Sequence, residues 1–138
     1  MRVLVDTCAW SLLLRRKNKT DLSEEEKSLL ASLTEAIKDG RVAIIGPIRQ
    51  EVLSGIKELA QFEKLRAALA AFRDESLTSL HFEDAARLFN LCRNHGVECG
   101  STDILICTVA IQKHSPLLTN DGGIKRCIDV LKAEGLMQ

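Results

Sequence analysis

Four acidic residues, far apart along the chain, stand where short apolar runs end or where helical patterns begin. Asp6 directly follows Val3-Leu4-Val5, and Asp121 comes just after Leu117-Leu118-Thr119. Glu51 lies about one and a half turns into the helical pattern that follows Val42-Ala43-Ile44-Ile45, by the 3.6-residue period. Asp103 falls in the first turn of a helical pattern for which Ser101 is the expected cap. If the apolar runs are parallel strands, strand ends and helix starts share one rim, and the four carboxylates converge there. Converging carboxylates repel one another unless protons or a cation compensate. Hard divalent cations prefer oxygen ligands. Such an ion suits phosphoryl chemistry, because it acidifies water, orients the phosphate and neutralises charge on the leaving oxygen.

Each acid taken singly has an ordinary structural role open to it. Asp6 can cap the first helix, and Asp103 can favour a helix N-terminus. Asp121 can be the turn residue of Asn120-Asp121-Gly122. Glu51 can be a surface acid pairing with Arg49 or Lys57, although neither lies at the ideal spacing of four.

The elements that must position these acids are legible in the pattern. Val3-Leu4-Val5 is a continuous apolar run, as a buried parallel strand requires. A helix is expected over 9–14, then a polar, basic loop over 15–20. Ser23 and Glu26 form a capping box, Leu29, Leu30, Leu33 and Ile37 share one face, and Gly40 closes the helix. A second strand is expected over 42–45, and Pro47 is placed to start the next helix. Phe62, Leu65, Leu69 and Phe72 repeat at helical spacing. A short strand is expected over 77–80, and a helix through Phe82, Ala85, Ala86 and Phe89 ends at Gly96. After the Asp103 helix comes a strand over 116–119, a turn at Gly122-Gly123, and a last helix over 124–133. Alternating strands and helices predict an α/β fold with a mainly parallel sheet.

Composition narrows the classes. A chain of 138 residues predicts a single domain over 1–138, and 46% hydrophobic residues supply one core. Nineteen basic residues balance nineteen acidic ones, which excludes a strongly basic nucleic-acid coat. Aromatic residues are 4% and Tyr is absent, which argues against a base-stacking platform. No apolar run approaches the roughly 18 residues of a spanning helix, and Asp6 interrupts any leader-like apolar stretch. A cytoplasmic protein with no membrane contact is expected. The five cysteines, Cys8, Cys92, Cys99, Cys107 and Cys127, are odd in number and form no C-x-x-C pair. They are expected to be buried apolar residues in a reducing compartment, with neither a zinc site nor a disulfide framework. His81, His95 and His114 share no spacing and are expected at the surface or at helix ends. Trp10 and the phenylalanines sit on helical faces and read as core. Arg15, Arg16, Lys17 and Lys19 either hold phosphates near the site or form a solvated loop.

The motifs resemble those of the PIN-domain ribonucleases. The resemblance rests on Val5-Asp6-Thr7 with Trp10, on Gln50-Glu51-Val52-Leu53-Ser54-Gly55, on Ser101-Thr102-Asp103-Ile104-Leu105-Ile106, and on Leu117-Leu118-Thr119-Asn120-Asp121. Within that family the chain is most similar to the VapC-type toxins of prokaryotic toxin–antitoxin pairs. The resemblance implies a PIN-like three-layer α/β/α sandwich and a metal-dependent endoribonuclease. It implies that Asp6, Glu51, Asp103 and Asp121 are catalytic. Asp6, Asp103 and Asp121 would hold Mg²⁺ or Mn²⁺, and Glu51 would complete the pocket or position water. Thr7 and Thr119 would orient the carboxylates. It further implies an RNA substrate, a homodimer and a cognate antitoxin protein. Candidate docking segments for that partner are 10–14 and 56–72.

One departure stands out. Many relatives carry a second Asp two positions after the one matching Asp121, often followed by Phe; here the residues are Gly123 and Ile124. Glu98, just before the Asp103 helix, is a minor further candidate. The departure keeps open a second reading, a catalytically weak or inactive PIN-like module that binds RNA or a protein partner. A third, a phosphotransfer domain with Asp6 as nucleophile, is weakened because Asp6-Thr7-Cys8 lacks a second acid two positions on.

Overall fold

Val3, Leu4 and Val5 are all buried, as an interior strand with apolar side chains on both faces must be. They form β1 (Val3–Val5) in a computed structural model that describes residues 2–16 and 20–138. The chain continues through α1 (Thr7–Leu14), α2 (Glu24–Lys38), β2 (Val42–Ile44), α3 (Gly46–Leu53), α4 (Leu59–Leu69) and β3 (Arg73–Asp74). It ends with α5 (Ser79–Asn94), α6 (Ser101–Lys113), β4 (Leu117–Leu118) and α7 (Gly122–Ala133).

The four strands pair in the order β3-β2-β1-β4, all parallel. Val3 stands opposite Val42, and Leu4 opposite both Ala43 and Leu117. Strand order thus runs outward from β1 through β2 to β3, then returns to place β4 on the other side of β1. Right-handed crossovers put helices of the first path on one face and those of the return path on the other. The packing agrees: α1 contacts α2 and α3, α3 contacts α4, and α5, α6 and α7 contact one another. The result is a three-layer α/β/α sandwich. Its topological switch point lies between the carboxyl ends of β1 and β4, where open parallel sheets bind ligands.

The helices begin where local chemistry allows. Ser23 Oγ accepts from the Glu26 N–H at 3.0 Å, and Glu26 Oε1 accepts from the Ser23 N–H at 3.0 Å, so the predicted capping box is formed. Pro47 sits in the first turn of α3, where its missing N–H costs no hydrogen bond. Gly40 and Gly96 close α2 and α5 at φ +67° and +79°, in the left-handed region that glycine adopts without strain. Trp10 is fully buried with its ring 4.8 Å from that of Phe72, which packs partly buried against the core; Phe82, expected in the core as well, is 52% exposed.

Several expectations are corrected. Residues 77–80 are not a strand: Thr78 is the N-cap of α5, and the His81 Nδ1 accepts from its N–H at 3.0 Å. The strand of that region is β3, two exposed polar residues that pair with Ala43 and Ile44. Ser101 is the first residue of α6, and Gly100 is its N-cap. Gly122 and Gly123 do not turn the chain; they form the first turn of α7, which Asp121 caps. The expectation of five free thiols also fails. Cys99 and Cys127 are joined by a disulfide across 28 residues, which ties the segment leading into α6 to the middle of α7. Cys8, Cys92 and Cys107 are free. Among the described residues, no helix is long and apolar enough to cross a membrane.

Candidate metal centre

Asp6 leaves β1 at the switch point. Its backbone N–H donates to the Leu118 carbonyl at 3.0 Å, which continues the β1–β4 ladder by one step. The backbone of Asp6 is the N-cap of α1, but its side chain makes no capping bond. The carboxylate is instead held by Thr119, whose hydroxyl donates to Oδ2 at 3.0 Å. Asp6 is 4% exposed, a buried carboxylate that accepts the Thr119 hydroxyl. Buried charges of that kind need further compensation.

Thr119 also links the second acid. Its Oγ1 accepts from the Asp121 N–H at 3.1 Å, and Cys8 Sγ lies 3.6 Å away. Asp121 combines its ordinary role with proximity to the cluster: Oδ2 accepts from the Ile124 N–H at 2.9 Å and so caps α7. Asp103 stands in the first turn of α6, half-buried. Glu51 is exposed on α3 and has no ion pair among the described residues. The pairing weighed with Arg49 is not made, because Arg49 binds Asp74 at 2.8 Å and the carbonyls of Leu69 and Phe72.

The convergence shows in the electrostatics of Asp103. Burial pushes its carboxyl above the ordinary carboxylate value, and the charges of Asp121, Asp6 and Glu51 push in the same direction. The Gly100 backbone pulls the other way. Three acids from β1, α3 and the end of β4 therefore act on a fourth from α6. Gly100 leaves room for this: a Cβ there would stand 3.1 Å from Asp103 Oδ2. The Cys107 thiol beneath the site is pushed up to about 12, by burial first and then by Asp103, Cys92 and Asp6, so it stays protonated.

The donor set fits a hard divalent cation: it is all oxygen, mutually repelling and partly desolvated. One further observation agrees with that fit. The Thr7 hydroxyl oxygen is buried and has no hydrogen-bond partner among the described residues. Thr7 therefore orients no carboxylate, contrary to expectation, whereas Thr119 does. The carboxylates do not close on one point: among the described residues, the one group of three or more His, Cys, Asp or Glu ligand atoms within 4.8 Å of one another is Cys92, Cys99 and Cys127. Asp6, Asp103 and Asp121 are the residues that would hold an ion. That thiol trio is closed by the disulfide, and burial raises the pKa of the third member, Cys92.

Residues weighed from the sequence fall variously. Glu98 is exposed. Arg16 is committed to Asp21 and Glu26 at 3.2 and 3.1 Å, which leaves Arg15 as the exposed cation among the described residues of that segment; Lys17 and Lys19 lie outside the described residues. Arg15 lines a cleft of about 400 Å³ with Cys8, Ser11 and Asn120, beside the Asp6–Thr119 pair. The histidines sit at helix ends: His81 is buried in the first turn of α5, His95 follows that helix and pairs with Glu134 at 2.7 Å, and His114 closes α6.

One residue was missed by sequence reasoning. Arg126, on α7, lies over the glycine pair at the helix start. A Cβ on Gly122 would stand 3.6 Å from its Nη1, and a Cβ on Gly123 would stand 3.8 Å from its Nη2. The available signal was spacing, since Arg126 is four residues after Gly122 and helical side chains lean toward the N-terminus.

The PIN domain family model matches residues 3–128 of the chain. No curated protein matches it closely enough to serve as a relative.

Proposed function

The chain belongs to the PIN domain family, whose members are generally nucleases that use divalent metal ions, and we propose that it is a Mg²⁺- or Mn²⁺-dependent endoribonuclease, the toxin of a type II toxin–antitoxin pair. The observation that carries the nuclease reading is the convergence of Asp6, Glu51 and Asp121 on Asp103 at the β1/β4 switch point. A bound divalent cation supplies Lewis acidity toward phosphate oxygens and acidifies water. The chain's own groups do the rest. Asp6, fixed by Thr119, together with Asp103 and Asp121 would hold the ion. Glu51, exposed and without an ion pair among the described residues, would position the attacking water. Arg15, in its cleft beside Asn120, steadies the RNA backbone.

The toxin reading rests on the likeness to VapC-type proteins and on the surface. Leu13 on α1 and Phe62 on α4 are half-buried, and Leu59 is 73% exposed at the start of α4. This side suits an apolar segment of an antitoxin. A homodimer acting in the cytoplasm, each copy a single PIN-like domain over 1–138, completes the reading.

Gly123 favours one alternative, a weak or inactive module that binds RNA or a protein, because no side chain fills the place beside Asp121 and Asp103. Incubation of a total cellular RNA pool with the protein, with Mg²⁺ or Mn²⁺, with EDTA, and with Asp6→Asn or Asp103→Asn decides between them. Cleavage that needs the cation and is lost in both variants is the expected result. Binding without cleavage under any cation, by folded protein free of antitoxin, would establish the module instead.

A further inference from the structure

The place above Gly123 is bounded by opposite charges. A Cβ built there would stand 3.0 Å from Asp121 Oδ2, 3.9 Å from Asp103 Oδ2 and 3.8 Å from Arg126 Nη2. A guanidinium is therefore held at the edge of the acid cluster. Yet Arg126 makes no hydrogen bond or ion pair among the described residues, and no carboxylate oxygen comes within 4.0 Å of it. Its neighbour Lys125 behaves differently and is paired with Glu25 of α2. The two adjacent cations of α7 thus face different ways, one tied to a helix of the opposite layer and one left at the rim.

Helix geometry explains the placement. Arg126 is one turn after Gly122 and Gly123, and a long side chain on a helix leans back over the preceding turn. Two glycines in that turn leave nothing to deflect it. An aspartate at position 123 would occupy that place and offer the guanidinium a carboxylate. With glycine there, the guanidinium keeps its donors for something else. Guanidinium donors form a planar fork that matches the oxygens of a phosphate.

We propose that Arg126 is a substrate-binding residue of this site, donating to a non-bridging oxygen of an RNA phosphodiester placed over Gly123, between the guanidinium and the carboxylates of Asp103 and Asp121. The inference rests on the nuclease reading for its substrate but not for its geometry. In this arrangement the arginine supplies, as a fixed positive charge, part of the charge neutralisation that a further acid and its ion would otherwise bring. The absence of a side chain at Gly123 is then what opens the subsite.

The test is binding without cleavage. Fluorescein-labelled single-stranded RNA of random sequence is titrated with protein in EDTA, by anisotropy, from 50 to 200 mM salt. Each phosphate contact on a single strand contributes a slope of about 0.7 in log K against log [salt], so wild type should lose roughly 2.6-fold more affinity over that range than Arg126→Ala. Arg126→Lys should keep the slope, because it keeps the charge. Lys125→Ala should also keep it, since that cation is already paired. Alanine is a good helix former at an exposed position, and melting curves verify the fold. An Arg126→Ala slope equal to wild type, in folded protein, would overturn the proposal. So would an unchanged slope together with tighter Mn²⁺ binding, which would make Arg126 only a counter-ion to the acids. A wild type without salt-dependent binding would overturn it too. The nuclease reading fails separately, if folded wild type cleaves no RNA under any cation.

Discussion

Replacing Thr119 with valine removes one hydroxyl and almost no volume. In the structure that hydroxyl donates to Asp6 Oδ2 at 3.0 Å, accepts from the Asp121 N–H at 3.1 Å and touches the Cys8 thiol at 3.6 Å. Its own proton goes to Asp6, so the Cys8 thiol is the donor in the third contact. A hydrogen bond to a charged group contributes about 1.5–3 kcal/mol when its partner is left behind. Asp6 is 4% exposed and cannot recover that bond fully from water. A loss of about 2 kcal/mol follows. For a chain of this length that lowers Tm by roughly 6 °C. The same bond fixes the carboxylate that is to hold the ion, and removal of such supports typically weakens metal affinity about 10- to 100-fold. The assay is RNA cleavage as a function of Mn²⁺ concentration, with thermal melting in parallel. Thr119→Val should shift the Mn²⁺ midpoint upward by that factor, and Thr119→Ser, which keeps the hydroxyl, should restore most of it. Equal Mn²⁺ midpoints for wild type and Thr119→Val would refute the argument that Thr119 positions Asp6.

Two further outcomes follow from the fold. The Cys99–Cys127 disulfide closes 28 residues, and chain entropy assigns such a link roughly 3.5 kcal/mol; thiol titration in denaturant should find three free thiols before reduction and five after, with Tm falling by about 10 °C, whereas five thiols at the outset would contradict the link. The carboxyl of Asp103 is raised above 3.8 in the folded chain, so the folded state holds its proton more tightly than the unfolded one. Cation-free stability attributable to this group therefore falls as pH climbs from 3.8 toward the raised value. Asp103→Asn should melt above wild type in EDTA at pH 7, with a gap that closes in acid, and added Mn²⁺ should raise the Tm of wild type alone; a variant melting below wild type in EDTA would remove the repulsion argument.

Much of the fold was legible because local chemistry decided it. The Ser23–Glu26 box, Pro47 in the first turn of α3 and the apolar runs of β1 and β2 each act within a few residues. The acids were legible for the same reason, since a parallel sheet assigns strand ends and helix starts to one rim. What escaped depended on contacts between distant segments. Arg73 and Asp74 carry no strand signal; they become β3 because the Ile44 edge needs a partner, as the Glu75 N–H donating to the Ile44 carbonyl at 2.8 Å shows. Thr78 was misread because its box is closed by His81 rather than by Glu or Gln. Cys99 and Cys127 meet only because α6 and α7 pack together, and no sequence spacing announces that. Thr7 and Thr119 looked alike as hydroxyls beside acids, but only Thr119 has its oxygen on Asp6.

A single Mn²⁺ titration, read both as ion bound to the chain and as RNA cleaved, tests the central claim that these carboxylates hold a catalytic cation. For wild type the two curves should share one midpoint, and Asp6→Asn should lose both while its melting curve remains cooperative. Cleavage that persists in Asp6→Asn, or that proceeds undiminished in EDTA, would contradict the account.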